Sequence, residues 1–152
     1  MREIKVLFLD FDAVLNTAAT LERGELFERT NVEALNAILD STDVSIVVTS
    51  MWRIAATCQE LETLLVEAGV HATNRVVGAT PCLENCQRGA EIREWLKQTS
   101  EPVMGFVILD DRNDMETCYR HLVRTDPRYG LVPSQFNEVV DRLAMDIGDT
   151  QI

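Results

Sequence analysis

Histidine, lysine and paired cysteines are what this chain has least of. Its 152 residues include two histidines, and Lys5 and Lys97 are its only lysines. The four cysteines, Cys58, Cys82, Cys86 and Cys118, form no Cys-x-x-Cys pair. With so few nitrogen ligands beside them no zinc site is expected, and they read as reduced thiols packed as small apolar groups. Long apolar runs are missing too. Stretches such as "GFVIL", Gly105 to Leu109, are far too short to cross a bilayer, and "MREIKV" sets an acid among its bases, unlike a signal peptide. No membrane role is expected, and the cytoplasm is the default location. Bases are outnumbered, 14 against 25 acids, for a net charge of −11. A field of that sign opposes a nucleic-acid partner held by bulk charge, while leaving room for a local groove lined by arginine. Repeats, low-complexity tracts and linkers are lacking. With 46% hydrophobic and 26% charged residues disorder is excluded, so residues 1–152 are expected to form one domain with a real core.

Strand-like and helix-like segments alternate along the chain. Ile4 to Leu9 is a short apolar run that reads as a strand buried on both faces. Thr20 to Glu28, with Arg-Gly at its middle, reads as a small hairpin flap. "TNVEALNAILD" has helical spacing at Val32, Leu35, Ile38 and Leu39, capped by Thr30 or Asn31. "VSIVVTS" is a second buried strand, and Ile54 to Ala68 a helix stopped by Gly69. "RVVGAT" is a third strand, "RGAEIREWLKQ" a helix with Ile92, Trp95 and Leu96 on one face, and "GFVILDD" a fourth strand. A short helix over Thr117–His121, a fifth strand in "LVRTD" and a closing helix from Ser134 to Met145 complete the chain. This alternation predicts an α/β fold, a Rossmann-like three-layer sandwich around a mainly parallel five-stranded sheet.

In such sheets ligands bind beyond the carboxyl ends of the strands, near the switch in strand order. The first strand ends in Asp10-Phe11-Asp12, the second in Thr49-Ser50, and the fourth in Asp110-Asp111 with Asp114 just beyond. One acid at a strand end is commonplace as a turn former. Acid pairs on two strands, with a hydroxyl pair on a third, point to a site. Clustered carboxylates without histidine or cysteine are hard oxygen ligands, suited to Mg²⁺. A carboxylate beside Mg²⁺ can attack phosphorus to give an aspartyl-phosphate.

"FLDFDAVLN" resembles the first motif of the haloacid dehalogenase (HAD) superfamily of phosphohydrolases, an Asp-x-Asp after an apolar strand. "IVVTSMWR" is similar to the second motif, and "RGAEIREWL" followed by "FVILDD" to the third and fourth. Together these look most like the small HAD domain found with RNA-repair (Swiss Army Knife) proteins, over roughly Val6 to Asp114. The resemblance implies a Mg²⁺-dependent phosphatase. Asp10 would be the nucleophile and a metal ligand. Asp12 would be the general acid and then base, its carbonyl touching the metal. Thr49 would hydrogen-bond the phosphoryl group, with Ser50 as the alternative. Asp111 would ligate Mg²⁺ and Asp110 orient its waters, an order open to reversal. Asp114 would be an outer-shell group or a cap of the next helix. The substrate would be a phosphomonoester, with a polynucleotide end as the expected class.

Two positions depart from the pattern. Ala13 stands where the family has glycine, and Arg88 where the third motif has lysine. Lys97 falls at the far end of that helix, so Arg88 is expected to serve, with Arg53 as a second phosphate clamp and Trp52 as packing. The segments between motifs are too short for a separate cap domain, which leaves an open site. A receiver domain is disfavoured because no lysine follows Lys97, and a Toprim nuclease because Asp-x-Asp comes first. The alternative outside enzymology is a degenerate phosphate-binding module.

Overall fold

The computed structural model describes residues 2–149. Five strands, β1 (Ile4–Leu9), β2 (Ser45–Val48), β3 (Val76–Ala79), β4 (Val103–Asp110) and β5 (Leu122–Arg124), form one sheet in the order β3-β2-β1-β4-β5. Every pairing is parallel. The chain builds outward from β1 to β3, then crosses back to β4 on the other side of β1. The switch point therefore lies between β1 and β4, at their carboxyl ends.

Alternation along each strand splits the core into two layers. Leu7, Leu9, Ile46, Val48, Val107 and Leu109 share one face with apolar residues of helices α2 (Arg29–Ser41), α3 (Cys58–Glu67) and α5 (Phe136–Leu143). Val6, Phe8, Val47, Phe106 and Ile108 share the other with Ile92 of α4 (Arg88–Gln98) and with Met115 and Cys118. Phe8 meets Trp95 and Phe106 edge-on, each with ring centroids 5.6 Å apart. The expected three-layer sandwich is the observed one.

Three local expectations change. The segment read as a hairpin flap instead holds a helix, α1 (Ala18–Glu22). Thr17 and Thr20 exchange reciprocal capping hydrogen bonds at its start, and Gly24 ends it at φ 76°. Arg-Gly thus marks a helix terminus rather than a hairpin tip. Helix α2 begins at Arg29, so neither Thr30 nor Asn31 caps it. The Asn31 amide lies inside the helix and donates to the carbonyls of Tyr129 and Leu131, both at 2.8 Å, tying α2 to the loop before α5. The helix expected from Ile54 starts later than its pattern suggested. Met51–Ile54 is a 3₁₀ turn, and α3 starts only at Cys58, after a capping box between Thr57 and Glu60.

Only α1 and α2 lie between β1 and β2, and among the described residues no inserted domain covers the strand ends. No helix there is long and apolar enough to cross a membrane.

Candidate active site

Register places the chemistry. Leu9 pairs with Val48 on one side and with Leu109 on the other. The next residue of each strand is Thr49, Asp10 or Asp110, so these three stand side by side in one row. All three fall on the α4 face of the sheet, two positions after Val47, Phe8 and Ile108. Backbone hydrogen bonds continue the ladder into the row, from the Thr49 N–H to the Leu9 carbonyl (2.9 Å) and from the Asp10 N–H to the Leu109 carbonyl (3.1 Å). A hydrophobic strand thus delivers Asp10 to a place where it is only 7% exposed and Asp110 to one where it is fully buried.

The cation that faces them is Arg88, itself buried, from the first turn of α4. Its Nη1 lies 3.3 Å from Asp110 Oδ2 and 3.9 Å from Asp10 Oδ1, and donates to the Thr49 carbonyl. Helix α4 reaches this position because residue 89 is glycine. A Cβ there would lie 2.1 Å from the Met115 carbonyl oxygen, a clash no backbone tolerates. Asp114 completes the junction by accepting from the Arg88 N–H at 3.0 Å, while its carbonyl accepts from the Gly89 N–H. Asp114 is therefore a cap, as one of its two expected roles had it, but of the helix before it rather than the one after. Lys97 sits in the last turn of α4, exposed and remote from the row.

Burial and mutual repulsion act on the two inner carboxyls. Burial first, then the charge of Asp110, pushes the Asp10 pKa up to about 7, against the opposing pull of Arg88 and the Phe11 N–H. Asp110 is raised as well, chiefly by burial. Carboxyl oxygens of Asp10, Asp110 and Asp111 can lie within 4.8 Å of one another. Asp110 Oδ2 is buried and accepts no hydrogen bond, while Oδ1 takes the Arg112 N–H at 3.0 Å. An all-carboxylate set, with one buried oxygen that has Arg88 nearby but accepts no hydrogen bond, fits a hard divalent cation such as Mg²⁺. Asp110 occupies the inner position and Asp111, partly exposed, the outer one, with the Asp111 carbonyl taking Arg124 Nε at 2.8 Å.

Asp12 stands apart from the row. It is exposed, and Asn16 holds it, donating from Nδ2 to Asp12 Oδ1 at 3.0 Å while accepting the Ala13 N–H at 2.9 Å. Asn16 was absent from the expected site, although its place four residues after Asp12 was readable. Ala13 adopts φ 68°, the conformation that favours glycine, and Thr125 fixes it by donating to its carbonyl at 2.9 Å. The Thr49 hydroxyl is buried with no hydrogen-bond partner, a donor held ready beside Asp10. Ser50 is occupied differently, its oxygen accepting from the Trp52 N–H at the start of the 3₁₀ turn.

Arg53 is not presented to this crevice. It donates to the carbonyls of Thr49, Ser50, Thr80 and Pro81, and its Nη2 pairs with Glu91 Oε2 at 3.0 Å. With all its N–H groups consumed, Arg53 is a strut between the ends of β2 and β3 and the start of α4, not a phosphate clamp. The substrate-binding role expected of Arg53 is corrected on that ground. Glu91, which also accepts the Leu83 N–H, gave no sign of this role in the sequence.

The chain resembles solved proteins in fold. The HAD domain of the effector protein Lem4 from Legionella pneumophila superposes with a TM-score of 0.60 at 12% identity, covering 94% of this chain and 97% of that one. No functionally curated protein matches the sequence. Residues 6–136, most of the chain, match the family described as the HAD domain in Swiss Army Knife RNA repair proteins. That span takes in most of β1 and all of the other four strands, the row of Thr49, Asp10 and Asp110, and the arginine that faces it. The chain is thus a member of the Swiss Army Knife HAD-domain family.

Proposed function

We propose that this domain is a Mg²⁺-dependent phosphomonoesterase that works through a phosphoaspartate on Asp10. Family membership supports a phosphatase or phosphate-interacting role. The observation that carries the finer reading is the row itself: a buried carboxylate between a second carboxylate and an unpartnered hydroxyl, with Arg88 across it. The Asp10 carboxylate attacks phosphorus, and the bond to the ester oxygen breaks. Asp12 gives its proton to the departing alkoxide, then as a carboxylate takes one from water. That water attacks the phosphoaspartate, and Asp10 and inorganic phosphate are released. Arg88 and the Thr49 hydroxyl are set to stabilise charge on the transferring oxygens, and Asn16 holds Asp12 in place. Asp10, Asp110 and Asp111, with the Asp12 carbonyl, would hold Mg²⁺, which when bound neutralises charge on the phosphoryl group. A reducing, Mg²⁺-rich cytoplasm suits the four free cysteines and this site.

The substrate class we favour is a phosphate at a polynucleotide end, on the family description and the uncovered crevice. The bulk charge of −11 works against tight binding of the rest of such a chain. Hydrolysis of a generic aryl phosphate in Mg²⁺, measured on the wild type, Asp10→Asn and Asp12→Asn, tests the chemistry. Asp10→Asn should abolish turnover, while Asp12→Asn should slow both steps and leave phosphate trapped on Asp10. A folded wild type that binds Mg²⁺ and turns over no phosphomonoester favours the phosphate-binding module instead, for which Ala13 and Arg88 are the observations in support.

A further inference from the structure

Asp12 also lines a groove of about 530 Å³ whose other lining residues lie outside the carboxylate row. Its remaining wall is apolar: Met51, Trp52, Ala55, Leu61 and Leu64 face it, and Glu60 is its other charged residue. Met51 is 60% and Trp52 37% exposed, an unusual solvent exposure for two large apolar side chains in succession. The 3₁₀ turn fixes their backbone, with Ser50 capping the Trp52 N–H and Arg53 anchored behind it.

Resting on the phosphatase reading, we propose that this groove is the leaving-group pocket and takes a planar, uncharged aromatic ring of the leaving group, carried on the ester oxygen directly in an aryl ester or through the sugar in a nucleotide. Three observations lead there. Asp12, the residue that protonates the leaving oxygen, lines the groove, which sets it on the leaving-group side of the site. No lysine, arginine or histidine lines it. A second phosphate or a carboxylate inside it would meet Asp12 and Glu60 with no compensating cation, so the next phosphate of a polynucleotide end has its place outside the groove. A sugar hydroxyl array would meet a wall with few hydrogen-bonding groups. An aromatic ring suits both constraints, because it stacks on the Trp52 indole and packs on the adaptable Met51 thioether without bringing charge. A nucleobase and a simple aryl group share this chemistry.

The test is a ratio of kcat/KM values: 2-naphthyl phosphate and nucleoside 5′- and 3′-monophosphates, each against glycerol 3-phosphate. The aromatic substrates should lead, and Trp52→Ala should reduce the aromatic-to-glycerol ratio on the order of tenfold, the scale of one base–aromatic stack. Trp52→Phe should recover most of it, an outcome that general damage to the fold does not produce. Preference for a nucleoside monophosphate over the naphthyl ester identifies the ring as a base, and a Trp52→Ala loss confined to the naphthyl ester identifies it as an aryl group. Equal ratios in wild type and Trp52→Ala overturn the pocket even if phosphatase activity is strong. If no substrate is turned over, quenching of tryptophan emission decides. Quenching by 2-naphthyl phosphate that is lost in Trp52→Phe supports the pocket without the phosphatase, and its absence overturns the pocket.

Discussion

Replacing Arg53 separates a strut from a phosphate clamp. The Arg53 and Glu91 side chains are 3% and 8% exposed, and their ion pair spans from the end of β2 to the first turn of α4. Arg53→Met, close to isosteric along the stem, strands Glu91 as a buried carboxylate with one remaining donor, the Leu83 N–H. It also leaves the carbonyls of Ser50, Thr80 and Pro81 without their arginine. Breaking a buried pair from one side costs about 3–5 kcal/mol. For a domain of this size roughly 2–4 °C is lost per kcal/mol, so Tm should fall by about 10 °C. Glu91→Gln should cost less, because Arg53 keeps its four carbonyl acceptors. A double change, Arg53→Met with Glu91→Leu, should recover part of the loss and give a coupling on the order of 2 kcal/mol in a double-mutant cycle. Urea unfolding followed by circular dichroism measures all three variants. KM for a phosphomonoester, taken well below the new Tm, should change little. A loss of stability under ~1 kcal/mol accompanied by a large rise in KM would refute the strut and restore the clamp.

Ala13→Gly should stabilise the protein by up to about 1 kcal/mol, since φ 68° strains alanine, with glycine's unfolded-state entropy offsetting part of the gain; a lower Tm counts against that reading. Gly89→Ala should lower both Tm and kcat, because the clash with Met115 pushes Arg88 off the row; unchanged kinetics would show that Arg88 does not depend on that approach. In metal-chelating buffer the raised Asp10 pKa has a defined consequence. The unfolded state gives up this proton near pH 3.8 and the folded state only near 7, so its contribution to stability is full at low pH and is lost as pH rises across that window. Asp110 acts in the same direction. Tm of Asp10→Asn should therefore exceed that of the wild type at pH 8 and the difference should shrink towards pH 5, whereas a pH-independent difference removes titration as its cause. Mg²⁺ at a hundredfold excess over its Kd should stabilise the wild type by about 2.7 kcal/mol, and Asp111→Asn should remove most of that shift in Tm; a flat response in the wild type argues against the metal site.

Composition and period settle much about this protein without reference to any long-range contact. Alternation of short apolar runs with 3.6-period segments specifies the parallel sheet, because strands buried on both faces need helices on each side. The acids at the ends of β1 and β4 were legible as a site for the same reason, since strand ends on one side of a parallel sheet share an edge. What the sequence could not show is which polar groups meet once the sheet closes. Arg53 and Arg88 are alike as sequence, and both are buried. Only the packing of α4 sends Arg88 to Asp10 and Asp110 and Arg53 to Glu91 and a set of carbonyls. The segment from Thr20 to Glu28 was misread because Arg-Gly ends a helix as readily as it turns a hairpin. The capping pair of Thr17 and Thr20 and the burial of Thr20 decided between them. Ala13 could be flagged as a departure, but its φ depends on the hold of Asn16 and Thr125, one of them 112 residues away along the chain. Trp52 read as packing from sequence; its place beside Asp12 exists only because a 3₁₀ turn follows β2 where periodicity suggested the approach to a long helix. Local propensity and hydrophobic period act over a few residues and fix the elements. The pairing of buried charges and the walls of a groove depend on surfaces distant in the chain, and tertiary packing alone brings those together.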